Sequence, residues 1–305
     1  MHLGSLFRLL LICTLAAGIL TGCQTQQNSS STKINVVATT GMLADLTTNI
    51  CGEHCEVTPL MGPGVDPHLY KPTAGDLEKI QSADLVVYGG LHLEGRMTDI
   101  LESLGEKSFS AGEAIPKNLI LSTGGQSDPH IWHDPTLWQE VGTALAKKLT
   151  DMRGKSISMH VVNNWKAYQS ELKELDAETR KSLNSIPEDS RVLITAHDAF
   201  EYYGKRYNLQ VLGIQGTNTV TEASAQTIVQ LADTIASKKI KAIFVETSVN
   251  PATIRALQKA VQDRNWEVKI GGELFSDALG ANGTPEATYI GMIRHNTNTI
   301  ANALK

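Results

Sequence analysis

Short apolar runs rich in valine and isoleucine alternate with longer segments of helical periodicity along most of this chain. The runs predict buried strands and the longer segments predict helices, an alternation that is typical of βαβ units and a parallel sheet. We predict strands at Ile34–Ala38, Asp84–Tyr88, Val192–Thr195, Val211–Ile214, Ala242–Glu246 and Val268–Ile270. We predict helices at Gly41–Asn49, Thr73–Ile80, Thr136–Asp151, Ala223–Lys238 and Pro251–Asp263.

One segment departs from this alternation. Between Ile157 and Ile186, apolar residues recur at three- and four-residue steps, and no glycine or proline interrupts them. The pattern predicts one amphipathic helix of about 45 Å, at 1.5 Å per residue, that Pro187 ends. A pair of helices with a break near Asp176 is the alternative.

Together these elements predict an α/β protein with two lobes, each a mainly parallel sheet flanked by helices, joined by the long rigid helix. The predicted boundaries are 33–155 for the N-terminal lobe, 156–187 for the linker helix and 188–305 for the C-terminal lobe. The roughly 270 residues from position 33 onward are enough for two separate hydrophobic cores.

The first residues have the pattern of an export signal. An apolar run over residues 6–20 has an arginine near its start and is too short to cross a bilayer as a helix. Residues 20–23, Leu-Thr-Gly-Cys, resemble a lipoprotein processing site, so we expect a signal peptide at 1–22 and a lipid on Cys23. An ordinary signal peptide that ends near a cysteine is the alternative. The polar residues up to position 32 predict a flexible tether, and hence an extracytoplasmic protein held at the membrane, in a periplasm or on a cell surface.

The charge of the chain bears on whether it binds nucleic acid. The formal net charge is −5 and lysine and arginine form no cluster, which argues against nucleic acid as a partner.

With Cys13 in the signal and Cys23 lipidated, Cys51 and Cys55 remain, and we expect a local disulfide between them in an exported protein. A thiolate metal site that includes His54 is the alternative, although no further ligands follow at matching spacing.

The tripeptide Asp-Pro-His occurs twice, at 66–68 and at 128–130, each time on a loop that follows an apolar stretch. Proline fixes its own φ and restricts the residue before it, so each histidine leaves a stiff backbone and loses little freedom when an ion binds. His197 and Asp277 follow other predicted strands. Because ligands of open α/β sheets bind beyond the carboxyl ends of strands, we expect four residues to converge between the lobes, namely His68, His130, His197 and Asp277.

Three imidazoles and one carboxylate suit zinc, manganese or iron, and suit calcium or magnesium poorly. Taken singly, each histidine is explained as a solvated loop residue, and Asp66 and Asp128 are explained as residues that start turns; taken together, the pattern favours the site. Glu246, at the end of a strand, is a further candidate in or beside the site, where it would fix a histidine tautomer. We expect His133 at the rim or in a structural role, because Pro129 and Pro135 disfavour a regular helix around it. His54, His92, His160 and His295 stay unassigned.

The chain resembles the TroA-like metal-binding lipoproteins of bacterial ABC importers, within the zinc, manganese and iron solute-binding family. The segments that carry the resemblance are Pro67–Thr73, Ala83–Tyr88, Gly90–Gly95, Asp128–Trp132, Thr195–Phe200, Ile214–Gly216, Ala223–Ala225 and Gly272–Asp277. The resemblance spans nearly the whole chain after the tether. It implies two α/β lobes, a long helix between them, and an ion held by the four candidate ligands.

The same resemblance implies a monomeric protein that captures a divalent transition metal ion, Mn²⁺ or Zn²⁺ and by extension Fe²⁺, and passes it to an ABC permease without catalysing a reaction. Zinc-dedicated relatives often carry a loop rich in histidine and acids, whereas residues 107–126 contain no histidine, which favours manganese or a broader specificity. Proton competition should weaken binding below about pH 6. The alternatives are a zinc hydrolase, against which a fourth protein ligand argues, and a metal-stabilised surface adhesin.

Overall fold

The structure is a computed structural model that describes residues 33–305. The predicted signal peptide at 1–22, the lipid anchor at Cys23 and the tether up to residue 32 therefore lie outside the described residues. Within residues 33–305, no helix combines the length and the apolar character that a membrane crossing requires.

The first half of the described chain is a parallel sheet covered by helices on both faces. Its elements are β1 (Ile34–Ala38), α1 (Gly41–Cys51), β2 (Cys55–Pro59), α2 (Ala74–Ser82), β3 (Leu85–Tyr88), α3 (Thr98–Glu102), β4 (Ser108–Ser110), the short strands β5 (Ser122–Thr123) and β6 (Gln126–Ser127), and α4 (Pro135–Arg153). The sheet has the strand order β2-β1-β3-β4. Val36 packs into the core that contains α1 and α4, and Val37 packs on the other face with Ile80 of α2. We refer to this half as the first lobe.

Two strands of this sheet were not predicted. The sequence of β2, Cys-Glu-Val-Thr-Pro, has no apolar run, and β4 is a three-residue Ser-Phe-Ser segment at the sheet edge. Edge strands are half-buried, so their composition carries little of the signal that marks a central strand.

The long connector is one continuous helix, α5 (Lys155–Leu183), which at 29 residues is about 44 Å long. The prediction of a single helix is confirmed and the alternative break near Asp176 is wrong. The helix ends at Leu183, before the predicted stop at Pro187, because the intervening residues form a turn. Its apolar face joins the first core from Ile157 onward and reaches the second core at Leu183, so one helix is shared by two cores.

The second half of the described chain, which we call the second lobe, again alternates strands and helices. Its elements are β7 (Val192–His197), α6 (Glu201–Tyr207), β8 (Gln210–Gln215), α7 (Ala225–Lys238), β9 (Ala242–Glu246), α8 (Ala252–Gln262), β10 (Lys269–Leu274) and α9 (Tyr289–Leu304). β7 pairs in parallel with β8, β9 pairs in parallel with β10, and β7 lies beside β9. The predicted fold class, two α/β lobes with parallel sheets joined by a long helix, is confirmed.

Helix α9 was not predicted, and it ties the lobes together. It packs along α5, and Tyr289, Met292 and Ile293 from its first turns are buried in the core of the first lobe. The predicted boundaries at 155/156 and 187/188 stay a prediction, because side chains from the C-terminal half contribute to both cores.

A disulfide joins Cys51 at the end of α1 to Cys55 at the start of β2, with a Cα–Cα distance of 5.7 Å. The chain reverses between them through Gly52, whose φ of 58° lies in the left-handed region that favours glycine. Because both sulfurs are in the disulfide, they are not thiolate ligands, and the alternative of a thiolate metal site with His54 does not fit this structure.

Candidate metal centre

The structure brings the four sequence-predicted ligands together in one place. One nitrogen or oxygen from each of His68, His130, His197 and Asp277 lies within 4.8 Å of the others, and all four residues are buried. His68 and His130 come from loops of the first lobe, after β2 and β6, and Asp277 follows β10 in the second lobe. His197 is the last residue of β7, two residues beyond the predicted end of that strand. His130, His197 and Asp277 thus stand within three residues of the carboxyl end of a strand, whereas His68 lies in the longer loop that follows β2.

The distances within the group suit one small ion. The Nε2 atom of His130 is 3.3 Å from the Nε2 atoms of both His68 and His197. The carboxylate oxygens of Asp277 lie 3.4 Å from His130 Nε2, 3.3 Å from His197 Nε2 and 4.0 Å from His68 Nε2. Ligand atoms at about 2.1 Å from an ion in a tetrahedral shell are about 3.4 Å apart, so little movement is needed to surround one.

His130 is oriented by the aspartate of its own tripeptide. Oδ1 of Asp128 accepts hydrogen bonds from the His130 backbone N–H at 3.0 Å and from its Nδ1–H at 2.7 Å. In the neutral ring that binds an ion, the proton on Nδ1 leaves Nε2 as the nitrogen with a free lone pair, and Nε2 faces the other ligands. The sequence argument treated Asp128 only as a turn former, although the repeated Asp-Pro-His already placed a carboxylate two residues before each histidine.

His197 is held in the same way by a carboxylate that is distant in sequence. Oε1 of Glu246 accepts a hydrogen bond from the His197 backbone N–H at 2.9 Å, and Oε2 accepts one from Nδ1–H at 2.6 Å. Both residues are buried at the carboxyl ends of neighbouring strands, β7 and β9. Glu246 therefore holds His197 in one tautomer. This was one of the two roles considered from the sequence, the other being direct binding of the ion.

The first Asp-Pro-His tripeptide is arranged differently. Oδ1 of Asp66 accepts a hydrogen bond from the His68 backbone N–H at 2.8 Å, and its other oxygen accepts one from the hydroxyl of Thr219. Because Thr219 belongs to the second lobe, Asp66 fixes the His68 loop against the facing lobe. His68 also lines a cavity of about 510 Å³, together with His92, Gln126 and Asn218.

Charges within the group shift its protonation equilibria. Burial alone would lower the pKa of His130, but Asp128 and Asp277 raise it to about 9. Burial likewise opposes charge on His197, yet Glu246 and Asp277 raise its pKa well above the ordinary value. Burial would raise the pKa of Asp277, whereas His197 and His130 hold it well below the usual range. Burial lowers the pKa of His68 to about 3. Without an ion, the group therefore holds imidazolium charge next to a carboxylate.

Trp132 and His133 connect the ligand loop of the first lobe to that of the second. Trp132 Nε1–H and His133 Nε2–H donate hydrogen bonds to the backbone carbonyl oxygen of Ser276, at 2.9 and 3.1 Å. Ser276 precedes Asp277, and the donors follow His130 in a short 3-10 turn. His133 is fully buried, so the expected rim position is wrong, while the expected structural role fits these contacts.

The sequence of this chain is similar to those of known metal-binding proteins. The profile of the family described as "ZnuA: Zinc-uptake complex component A periplasmic" matches residues 36–303. The manganese-binding lipoprotein MntA of Bacillus subtilis (strain 168) is 45% identical over 295 residues, which cover 94% of this chain and 95% of that protein. The zinc-binding protein TroA of Treponema pallidum (strain Nichols) is 44% identical over 300 residues, or 96% of this chain and 97% of that protein.

Solved structures agree with the sequence comparisons. The structure of the periplasmic zinc-binding protein TroA from Treponema pallidum superposes with a TM-score of 0.87 at 44% identity, over 89% of this chain and 99% of that one. The Fe(III)-bound YtgA structure from Chlamydia trachomatis gives a TM-score of 0.82 at 26% identity, over 89% and 98%. The similarity therefore covers both lobes.

Proposed function

Because this chain belongs to the ZnuA family of metal-binding solute-binding proteins, we propose that it captures one divalent transition metal ion outside the cytoplasm and delivers it to an ABC permease. Proteins of this family serve importers and are not enzymes. The observation that carries the proposal is the cluster of buried ligand atoms, His68 and His130 from one lobe and His197 and Asp277 from the other.

Capture in this site would replace the water around the ion with protein atoms. The three Nε2 atoms and one Asp277 carboxylate oxygen would bind the ion directly, while Asp128 and Glu246 keep His130 and His197 in the tautomer that presents a lone pair. The partner that we propose is a permease in the cytoplasmic membrane, served by a monomer anchored through Cys23, in a periplasm or on a cell surface.

Similarity alone does not choose the metal. MntA is named for manganese and TroA for zinc, and the chain is almost equally similar to both. We propose manganese, or a specificity that includes zinc and iron, because residues 107–126 contain no histidine that would assist a zinc-dedicated site. Three nitrogens and one carboxylate oxygen accommodate all three ions.

Metal analysis of tag-free protein purified from its native host tests this function. We expect one divalent transition metal ion per chain, followed by exchange between manganese and zinc in a defined competition. Zinc outcompetes manganese at nitrogen-rich sites in vitro, so the native content decides the physiological ion. A chain that carries no transition metal and binds none at equimolar concentration would overturn the proposal.

The hydrolase alternative requires an open ligand position and a carboxylate that is free to activate water. We propose Asp277 as a fourth ligand because its carboxylate lies with the three imidazole nitrogens, and both oxygens of Glu246 accept hydrogen bonds from His197. The arrangement meets neither requirement, and family membership places the chain among solute-binding proteins rather than hydrolases.

Metal binding should release protons over a wider pH range than free imidazoles suggest. His130 has a pKa of about 9 and that of His197 is also raised, so at pH 7 an ion must displace at least one proton, whereas His68 is already neutral. We therefore expect affinity to fall steadily as the pH is lowered from about 9, and not only below 6. Calorimetric titration at pH 7 in two buffers of different ionisation enthalpy measures the number of protons, and a heat that does not depend on the buffer would contradict this expectation.

Ion binding should change the overall shape very little. Helix α5 is continuous and shared by both cores, and α9 packs along it, so within residues 33–305 the lobes are joined rigidly and not through a hinge of the kind that closes widely around a ligand. We expect the radius of gyration of metal-free and metal-loaded protein to agree within about 1 Å. Small-angle X-ray scattering measures this, and a large compaction on loading would be inconsistent with a rigid connector.

A further inference from the structure

A second pair of histidines lies apart from the proposed metal centre. His54 belongs to the 3-10 turn between α1 and β2, and His160 lies on α5. Their ring centroids are 4.7 Å apart and their planes are inclined by 51°. The proposed transport function uses neither residue, and the sequence left both unassigned.

One nitrogen of this pair is chemically unsatisfied. Nε2 of His54 is buried and has no hydrogen-bond partner among the described residues, although the His54 side chain as a whole is half-buried and His160 is exposed. A buried polar nitrogen without a partner is costly, so such a group in a native fold calls for an explanation, such as a bound water or ion.

The backbone on each side of the pair is fixed. The disulfide between Cys51 and Cys55 closes the loop that carries His54. Asn164, one turn after His160 on α5, donates a hydrogen bond from Nδ2 to the backbone oxygen of Ile50 at 3.3 Å. The loop and the helix are therefore held together independently of the two rings, which preserves the distance between the imidazoles and lowers the cost of ordering them around an ion.

The pair is well separated from the proposed metal centre. Cys55, next to His54, pairs with Ile34 at the amino end of β1, whereas the centre lies beyond the carboxyl ends of the strands. The five residues of β1 alone span about 16 Å. The two sites can thus be occupied together.

We propose that His54 and His160 form an auxiliary site for a divalent ion of the Zn²⁺ or Cu²⁺ class. Two imidazoles bind such ions at about 2.0 to 2.1 Å, and the exposed side of His160 leaves the remaining positions to water. Exposed carboxylates on Glu53 and Glu56 flank His54 and favour a cation. Ca²⁺ and Mg²⁺ are disfavoured because they require oxygen ligands. With two protein ligands, this site binds more weakly than the four-ligand centre.

Equilibrium dialysis of the tag-free protein against Zn²⁺, with metal counted by mass spectrometry, tests this site. The wild-type protein should bind a first equivalent at the four-ligand centre and a second at higher zinc concentration. His160→Gln should weaken the second equivalent at least tenfold and leave the first unchanged. His295→Gln, which alters a histidine outside the pair, is the matched control and should still bind two.

His54→Gln provides an independent check, because its first equivalent reports whether the variant is folded. Loss of the second equivalent in both His54→Gln and His160→Gln supports the proposal. Saturation of the wild type at one equivalent, or a second equivalent that persists in both variants, overturns it. Absence of the first equivalent would instead count against the proposed transport function, so the two failures are distinguishable.

Discussion

Replacement of Asp277 by alanine should weaken Mn²⁺ or Zn²⁺ binding by on the order of a hundredfold or more. If about 12 kcal/mol of binding free energy is shared among four ligands, one ligand contributes about 3 kcal/mol. Asp277 is in addition the one anionic member of the cluster, and its oxygens lie 3.3 to 3.4 Å from His130 and His197. Competition against a chelator of known affinity measures the dissociation constant of the variant.

Glu273→Ala is the matched control for this experiment. Glu273 is an exposed carboxylate on β10, four residues before Asp277, and its removal changes the net charge by the same amount. We expect wild-type affinity from Glu273→Ala. An Asp277→Ala variant with an affinity within a few fold of this control would show that the carboxylate is not a ligand.

Glu246→Gln should weaken metal binding by about a hundredfold, the upper end for a group that acts through a ligand. The two Glu246 oxygens accept separate hydrogen bonds, one from the His197 backbone N–H and one from Nδ1–H. A glutamine offers one acceptor and one NH₂ group, so a donor must face either the backbone N–H or Nδ1. The first arrangement leaves a buried donor unpaired, and the second favours the tautomer with the proton on Nε2, which cannot bind an ion.

Asp128→Asn, although it alters the equivalent carboxylate behind His130, should have a smaller effect, about tenfold or less. Oδ1 of Asp128 alone accepts both hydrogen bonds, and Oδ2 is buried without a partner among the described residues. The NH₂ group of asparagine can replace Oδ2 and leave both bonds to His130 in place. Equal losses in the two variants, measured by the same chelator competition, would contradict this difference.

The sequence was sufficient to predict the four candidate ligands because each depends on a local feature. A buried strand can be recognised from its apolar run. A polar residue just after it is then expected at the edge of the sheet formed by the carboxyl ends of the strands. For His68 and His130 the signal was the repeated tripeptide, because β2 was not predicted and β6 belongs to an antiparallel hairpin. Parallel strands, whose carboxyl ends lie at one edge, explain the meeting of the loops after β2, β7 and β10.

The groups behind the ligands were harder to predict because their roles depend on contacts between distant segments. Whether Glu246 binds an ion or orients His197 depends on the spacing of β7 and β9, which no local pattern encodes. His133 was expected at the rim or in a structural role because its neighbouring prolines disfavour a helix, and its burial results from Ser276 and Phe200 in the second lobe. Contacts between the lobes produce no periodic pattern of apolar residues, so they cannot be predicted from the sequence of one segment.

Helix α9 was missed for a related reason. Its sequence is rich in asparagine and threonine, residues that disfavour helix interiors, so its helical state depends on tertiary packing more than on propensity. Asn296 illustrates this, because its buried side chain bonds to the backbone of Phe275 at both N–H and carbonyl. That asparagine fixes the segment between β10 and Asp277.

Because α5 contributes side chains to both hydrophobic cores, neither lobe has a complete interior without it. Melting of either lobe would expose the apolar stripe on which the other depends, so heat denaturation of residues 33–305 should occur as one cooperative calorimetric transition. Helix α5, which lies between the lobes in sequence, thus couples their unfolding.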